Sequence, residues 1–151
     1  MTPAERIDLL EKGQSPNFIA RMRSGYAVMG DSQYLPGYCL LLAVPMVEKL
    51  NDLTGEHRTA FLEDMAKLGD AVLEATDAVR INYSIYGNLD PFLHAHIFPR
   101  YANEPDGERT IPPMSISAEV RGAADQAFDP QRHDGLRLKI AEHLHPYNPK
   151  D

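Results

Sequence analysis

The sequence predicts an α+β fold with an antiparallel sheet, and three observations carry that prediction. A long segment from about Thr54 to Thr76 has helical periodicity and stands between strand-like runs. The run Tyr38 to Val44 is continuously apolar, and Pro36-Gly37 and Pro45 bound it. Two strand-like segments, Arg80 to Tyr86 and Phe92 to Phe98, lie one short loop apart and suit a hairpin. Strand runs separated by a long helix, with no regular βαβ alternation, point to segregated helices on an antiparallel sheet.

Each element has a local reason. Thr2 is an N-cap, Pro3 suits a first helical position, and Glu5 places negative charge near the helix N-terminus, with Gly13 ending the helix. Phe18-Ile19-Ala20 leads into a short strand at Tyr26 to Met29, closed by Gly30-Asp31-Ser32. In the long helix Phe61, Leu62, Met65, Leu68, Val72 and Leu73 recur at helical spacing. Glu63, Asp64, Lys67 and Asp70 fall elsewhere around the turn, and Gly69 allows close packing onto a sheet. Gly87 to Pro91 reads as a loop. Residues 102–128 carry several prolines and glycines with weak periodicity, and irregular structure is expected there. Asp129-Pro130 starts a last helix through about His145, with Leu136, Ile140 and Leu144 on one face.

The 151 residues suit one domain, 1–151, long enough to bury a core without disulfides. The single cysteine, Cys39, lies in the apolar run and reads as a buried thiol. The first residues, MTPAERIDLLEKG, have neither a basic n-region nor an apolar h-region, and no run is long enough to span a bilayer. A cytoplasmic location is expected. A formal net charge of −7 argues against nucleic-acid polymers and anionic membranes as partners, although a few local donors can still hold a small anion.

The chemistry concentrates in Asp90-Pro91-Phe92-Leu93-His94-Ala95-His96-Ile97-Phe98-Pro99-Arg100-Tyr101. On a strand, side chains alternate faces, so Phe92, His94, His96 and Phe98 share one face and Leu93, Ala95 and Ile97 the other. Two imidazoles two residues apart stand roughly 7 Å apart at the backbone, close enough to touch one phosphate group. Three chemistries fit. A metal site needs a third ligand, and Glu104, His57, His133, His143 and His145 are not at ligand spacing, so no metal is expected. The pair can be two satisfied, partly buried histidines. It can also perform phosphoryl or nucleotidyl transfer, one neutral imidazole attacking phosphorus and the other donating a hydrogen bond.

In this frame Phe92-Leu93-His94-Ala95-His96-Ile97-Phe98-Pro99-Arg100 resembles the histidine-triad family of nucleotide hydrolases and transferases. Its signature is His-φ-His-φ-His-φ-φ, often followed by Pro-Arg. Ile81 to Asn88 is similar to the Asn-Tyr-x-Ile-x-Gly-Asn segment of bacterial members of diadenosine tetraphosphate hydrolase type. Asp31 to Leu40 is similar to their early Pro-Gly-His strand start, with Tyr38 where histidine is frequent. The likeness spans about residues 24–101. It implies an antiparallel sheet of about five strands, a homodimer, no cofactor, and a nucleoside phosphate substrate: a dinucleoside polyphosphate, a phosphoramidate or an adenylate. It also implies catalytic residues His94, as nucleophile, and His96. Asn88, Asp31, Val28 and Phe92 become the implied substrate-binding residues. Phe92 replaces the first histidine of the signature, which leaves two alternatives. A backbone carbonyl alone orients His94 and the protein is a hydrolase, or the protein is a weakly catalytic nucleotide binder of the same fold. The plain readings stand beside these: Asn88 and Asp31 as turn residues, Tyr83 and Tyr86 as ordinary sheet residues, and Arg100 as a surface or dimer-contact residue.

Overall fold

The computed structural model describes residues 1–145, 147 and 148; the expected domain runs to Asp151, and 146 and 149–151 lie outside the described residues. Helix α1, Pro3–Glu11, starts with a full capping box: the Thr2 side chain accepts from the Glu5 N–H, and the Glu5 carboxylate accepts from the Thr2 N–H. Such a cap contributes about 1 kcal/mol. After Gly13 the chain enters strands β1, Phe18–Met22, and β2, Gly25–Met29, joined by a tight turn. The sequence placed one strand here, but the structure has two. Phe18-Ile19-Ala20 is itself the start of the edge strand β1. Its mixed burial hides the period-two pattern that marks a strand.

Strand β3, Cys39–Ala43, is the apolar run and pairs antiparallel with β2. Helix α2, Gly55–Ala75, follows, flanked by Thr54 and Thr76. Strands β4, Arg80–Ile85, and β5, His94–Arg100, form the expected hairpin, with Ser84 opposite His96. The sheet order is β1-β2-β3-β5-β4, every pair antiparallel, so β5 is an inner strand between β3 and the edge strand β4. Residues 102–128 contain short helical turns, among them α3, Asp106–Arg109, and α4, Ala118–Arg121. Helix α5, Pro130–Glu142, is capped by Asp129, whose carboxylate accepts from the Gln131 N–H.

The two faces of the sheet differ. On one, Cys39, Leu41, Ala95, Ile97 and Leu93 pack with Phe61, Leu68 and Val72 of α2 and Ile140 of α5 to make the main core. Gly69 is where α2 meets β4: a Cβ there would lie 2.0 Å from the Tyr83 hydroxyl, so glycine lets the Tyr83 ring lie against the helix. The buried face of α2 is rotated from the one expected. Leu62 and Leu73 are exposed, while Asp64 is buried and accepts from the Ser24 N–H at 2.8 Å and the Ser24 hydroxyl at 2.7 Å. An apolar-periodicity argument cannot see that hydroxyl partner in the β1–β2 turn. On the opposite face a smaller cluster joins Ile7 and Leu10 of α1 to Val28, Leu42 and Phe92. Burying each of those two α1 side chains stabilises the fold by about 1.5–3 kcal/mol, and this seats α1 beside the histidines.

Candidate functional site

Register places the site. His94 lies opposite Leu42 and His96 opposite Leu40, so both imidazoles stand on the α1 face of the sheet, away from the main core. Along β5 the rings of Phe92, His94, His96 and Phe98 form a ladder. Phe92 stacks on His94 at 5.5 Å between centroids, the His94 and His96 rings meet edge-on at 5.0 Å, and His96 stacks on Phe98 at 5.4 Å. Both histidines are half-buried.

His94 Nδ1 lies 2.7 Å from the Phe92 carbonyl oxygen. A carbonyl can only accept, so Nδ1 carries the proton and Nε2 holds a lone pair. Phe92 therefore serves His94 through its main chain, and its phenyl ring stacks where an imidazole was expected.

His96 Nδ1 lies 2.7 Å from the Tyr38 hydroxyl. Burial pushes the Tyr38 hydroxyl far above its usual range, so it stays protonated. Its hydrogen needs an acceptor, and donation to Nδ1 supplies one, leaving Nε2–H of His96 as a donor. Burial first, and the neighbouring His94 second, hold His96 down at about 4. His96 is thus a neutral donor near pH 7.

Tyr38 owes its position to Gly30 and Gln33. A Cβ at Gly30 would lie 2.4 Å from the Tyr38 ring. The buried Gln33 amide donates to the Gly30 and Tyr38 carbonyls and accepts from the Gly37 N–H, each at 2.9 Å, fixing the loop before β3. Its polar atoms are all engaged internally, which makes it a frame for the loop.

A cleft of about 140 Å³ opens beside the dyad, lined by His94, His96, Phe92, Leu40, Leu42, Asp31, Asp90 and, from the N-terminal segment, Met1, Pro3 and Arg6. Of the residues expected from sequence, His94, His96, Phe92 and Asp31 come together here. Asp31 also pairs with Arg6 at 3.1 Å. Val28 is buried in the α1 cluster and Asn88 is exposed in the loop after β4, and neither lines the cleft. Tyr86, read as an ordinary sheet residue, brings its ring to 5.6 Å from His96. Sequence reasoning did not select Arg6, Asp90 or Gln33. It noted Tyr38 only as standing where histidine is frequent, and that was the available signal for a partner of His96.

Arg100 is corrected outright. It is a buried residue with 7% exposure, not a surface one. Its guanidinium donates to Glu104, to Asn82 Oδ1 at 2.8 Å, and to the carbonyls of Ile111 at 2.7 Å and Glu108 at 2.8 Å. A larger cleft of about 1000 Å³ runs along β4 past this residue, lined by Asn82, Ser84, Tyr86 and Arg109 among others. Neither imidazole lines it; both line the smaller cleft.

The remaining histidines are apart from the dyad. His133 accepts from the Asp129 N–H, and His143 meets Glu74 at 2.7 Å. Among the described residues no group of three or more His, Cys, Asp or Glu side chains gathers as a metal-ligand set. Among the described residues no helix is long and apolar enough to cross a membrane.

No protein-family profile matches the chain, and no curated protein does. Solved structures do. A histidine triad protein from Sinorhizobium meliloti superposes with a TM-score of 0.70 at 17% identity, covering 84% of this chain and 88% of that one. One from Marinobacter aquaeolei gives 0.67 at 19% identity, covering 85% and 90%. A hypothetical histidine triad nucleotide-binding protein from Sulfolobus tokodaii gives 0.64 at 17% identity, covering 91% and 89%. At these identities the likeness establishes the fold, which is that of the histidine triad proteins.

Proposed function

We propose that this protein is a nucleotide hydrolase or nucleotidyl transferase that forms a covalent nucleotidyl intermediate on His94. The observation that carries this reading is the bond from His94 Nδ1–H to the Phe92 carbonyl, which leaves Nε2 with its lone pair beside the cleft. In the first step Nε2 attacks the α-phosphorus, a P–N bond forms, and the bond from phosphorus to the leaving group breaks. The Nε2–H of His96 donates to a phosphate oxygen or to the departing atom, where negative charge grows. In the second step water attacks phosphorus and gives up a proton to solvent, the P–N bond breaks, and His94 regains its lone pair as the nucleoside monophosphate leaves. Asp31 is the candidate for the ribose hydroxyls. Phe92 completes the proposed substrate-binding set at the cleft, with Val28 packed behind it in the apolar wall under α1.

The Sulfolobus tokodaii neighbour's nucleotide-binding description supports the nucleotide class. The leaving group is a phosphate chain, an amine or a carboxylate, so the substrate is a dinucleoside polyphosphate, a phosphoramidate or an adenylate. We place the protein in the cytoplasm, where such nucleotides occur, and propose that it works as a homodimer. The open edge of β4, with Leu62 and Leu73 of α2 and Tyr83 exposed nearby, supports that assembly. The second reading, nucleotide binding without turnover, rests on the missing first histidine at Phe92. A panel of an adenosine phosphoramidate and a dinucleoside tetraphosphate separates the two. Release of AMP from either supports the hydrolase, and binding without release supports the binder.

A further inference from the structure

The histidine cleft contains one Lys or Arg among its lining residues, Arg6 of α1. Its Nη1 and Nη2 both donate to the Asp31 carboxylate, at 3.3 and 3.1 Å. Asn17 Nδ2 reaches the same carboxylate at 3.4 Å. The Arg6–Asp31 pair therefore ties α1 to the segment after β2, on the wall of the cleft.

Two features separate this pair from an ordinary surface bridge. The first is charge. The lining carries two carboxylates, Asp31 and Asp90, against one guanidinium that is already engaged. A phosphate entering beside the two imidazoles meets Arg6 as the one Lys or Arg side chain in the lining. The second is space. The cleft holds about 140 Å³, less than half of the roughly 300 Å³ at the small end of ligand sites. Met1, Pro3 and Arg6 form part of its wall, so a nucleotide larger than this space lies against Arg6. Arg6 is the long, jointed side chain there, 31% exposed.

We propose that Arg6 changes partner when a nucleotide binds: its guanidinium leaves Asp31 for the phosphate oxygens, and the released carboxylate takes the ribose hydroxyls. This rests on the nucleotide reading above. The planar fork of a guanidinium fits phosphate as well as it fits carboxylate. An exposed ion pair adds little to stability, so the exchange meets a small penalty. Arg6 then acts as a specificity residue. It favours a phosphorylated nucleoside, and it competes with a bare nucleoside for Asp31.

Titration calorimetry with AMP and with adenosine tests this on the wild type, Arg6→Gln and Arg6→Lys. Arg6→Gln is expected to weaken AMP about tenfold, as for loss of a charge-assisted pair, and to leave adenosine unchanged or bound more tightly. Arg6→Lys recovers part of the AMP affinity. A loosened α1 would weaken both ligands alike, so equal loss for AMP and adenosine overturns the proposal, as does unchanged AMP affinity in Arg6→Gln. A wild type that binds neither ligand removes the nucleotide reading itself, and the proposal with it.

Discussion

Strand β5 carries two polar clusters on the same face, a few residues apart, and they are built in opposite ways. At Arg100 and Glu104 the donors meet protein acceptors: the side chains are 8% and 7% exposed, the ion pair closes at 2.9 Å, and the Glu104 carboxylate also accepts from the Tyr101 N–H at 2.7 Å. At His94 and His96 each ring has one nitrogen bound inside the protein, to Phe92 and to Tyr38, and the other nitrogen remains at the cleft. A buried polar group with all its bonds made holds a fold, as Arg100 does for the segment from 101 to 111. A polar group oriented through one atom and open at the other is equipped to meet a ligand.

The contrast gives predictions in descending size. His94→Ala should lower AMP release by at least about a thousandfold, roughly 4 kcal/mol of barrier, while the melting temperature stays within a few degrees. Steady-state assay and calorimetry measure both, and full turnover in this variant would remove His94 from the chemistry. Arg100→Ala should do the reverse. It leaves Glu104 buried without its partner and should destabilise by about 3–5 kcal/mol in urea unfolding. A loss below 1 kcal/mol would mean that the cluster is not the clamp described. Tyr38→Phe removes the donor that fixes His96. It should lower turnover by about tenfold while costing only about 1 kcal/mol of stability, and nitrogen-15 NMR should show His96 losing its single Nε2–H tautomer. An unchanged tautomer would assign that role elsewhere.

A comparable effect is in pH. His96 titrates at about 4 in the folded protein, below the usual 6.5. Between those values the unfolded chain binds the proton and the folded one does not, so His96's contribution is present above about 6.5 and is lost as pH falls toward 4. Because the ring is partly solvated, the loss is on the order of 1–2 kcal/mol. Replacing His96 with Asn should flatten the urea-unfolding free energy over that window. An identical slope in the variant would contradict it.

Much of the fold was legible because it is written in local pattern: the proline-bounded apolar run of β3, the cap at Thr2, and the alternation that put His94 and His96 together on one face with Leu93, Ala95 and Ile97 behind. What was not legible depends on partners distant in sequence. Asp64 is buried because Ser24 meets it, Arg100 because Asn82 and the 104–111 segment surround it, and Arg6 reaches the cleft only through the packing of α1. Strand β1 was missed for a different reason, since a short edge strand with Arg21 inside it lacks a clean two-residue period.

The most direct test of the central claim is to mix the wild type briefly with an adenosine phosphoramidate, quench without acid, and map the peptides by mass spectrometry. The account predicts an adenylyl mass on the peptide containing His94, absent in His94→Ala. Rapid product formation with no adduct on that peptide at any quench time would contradict it.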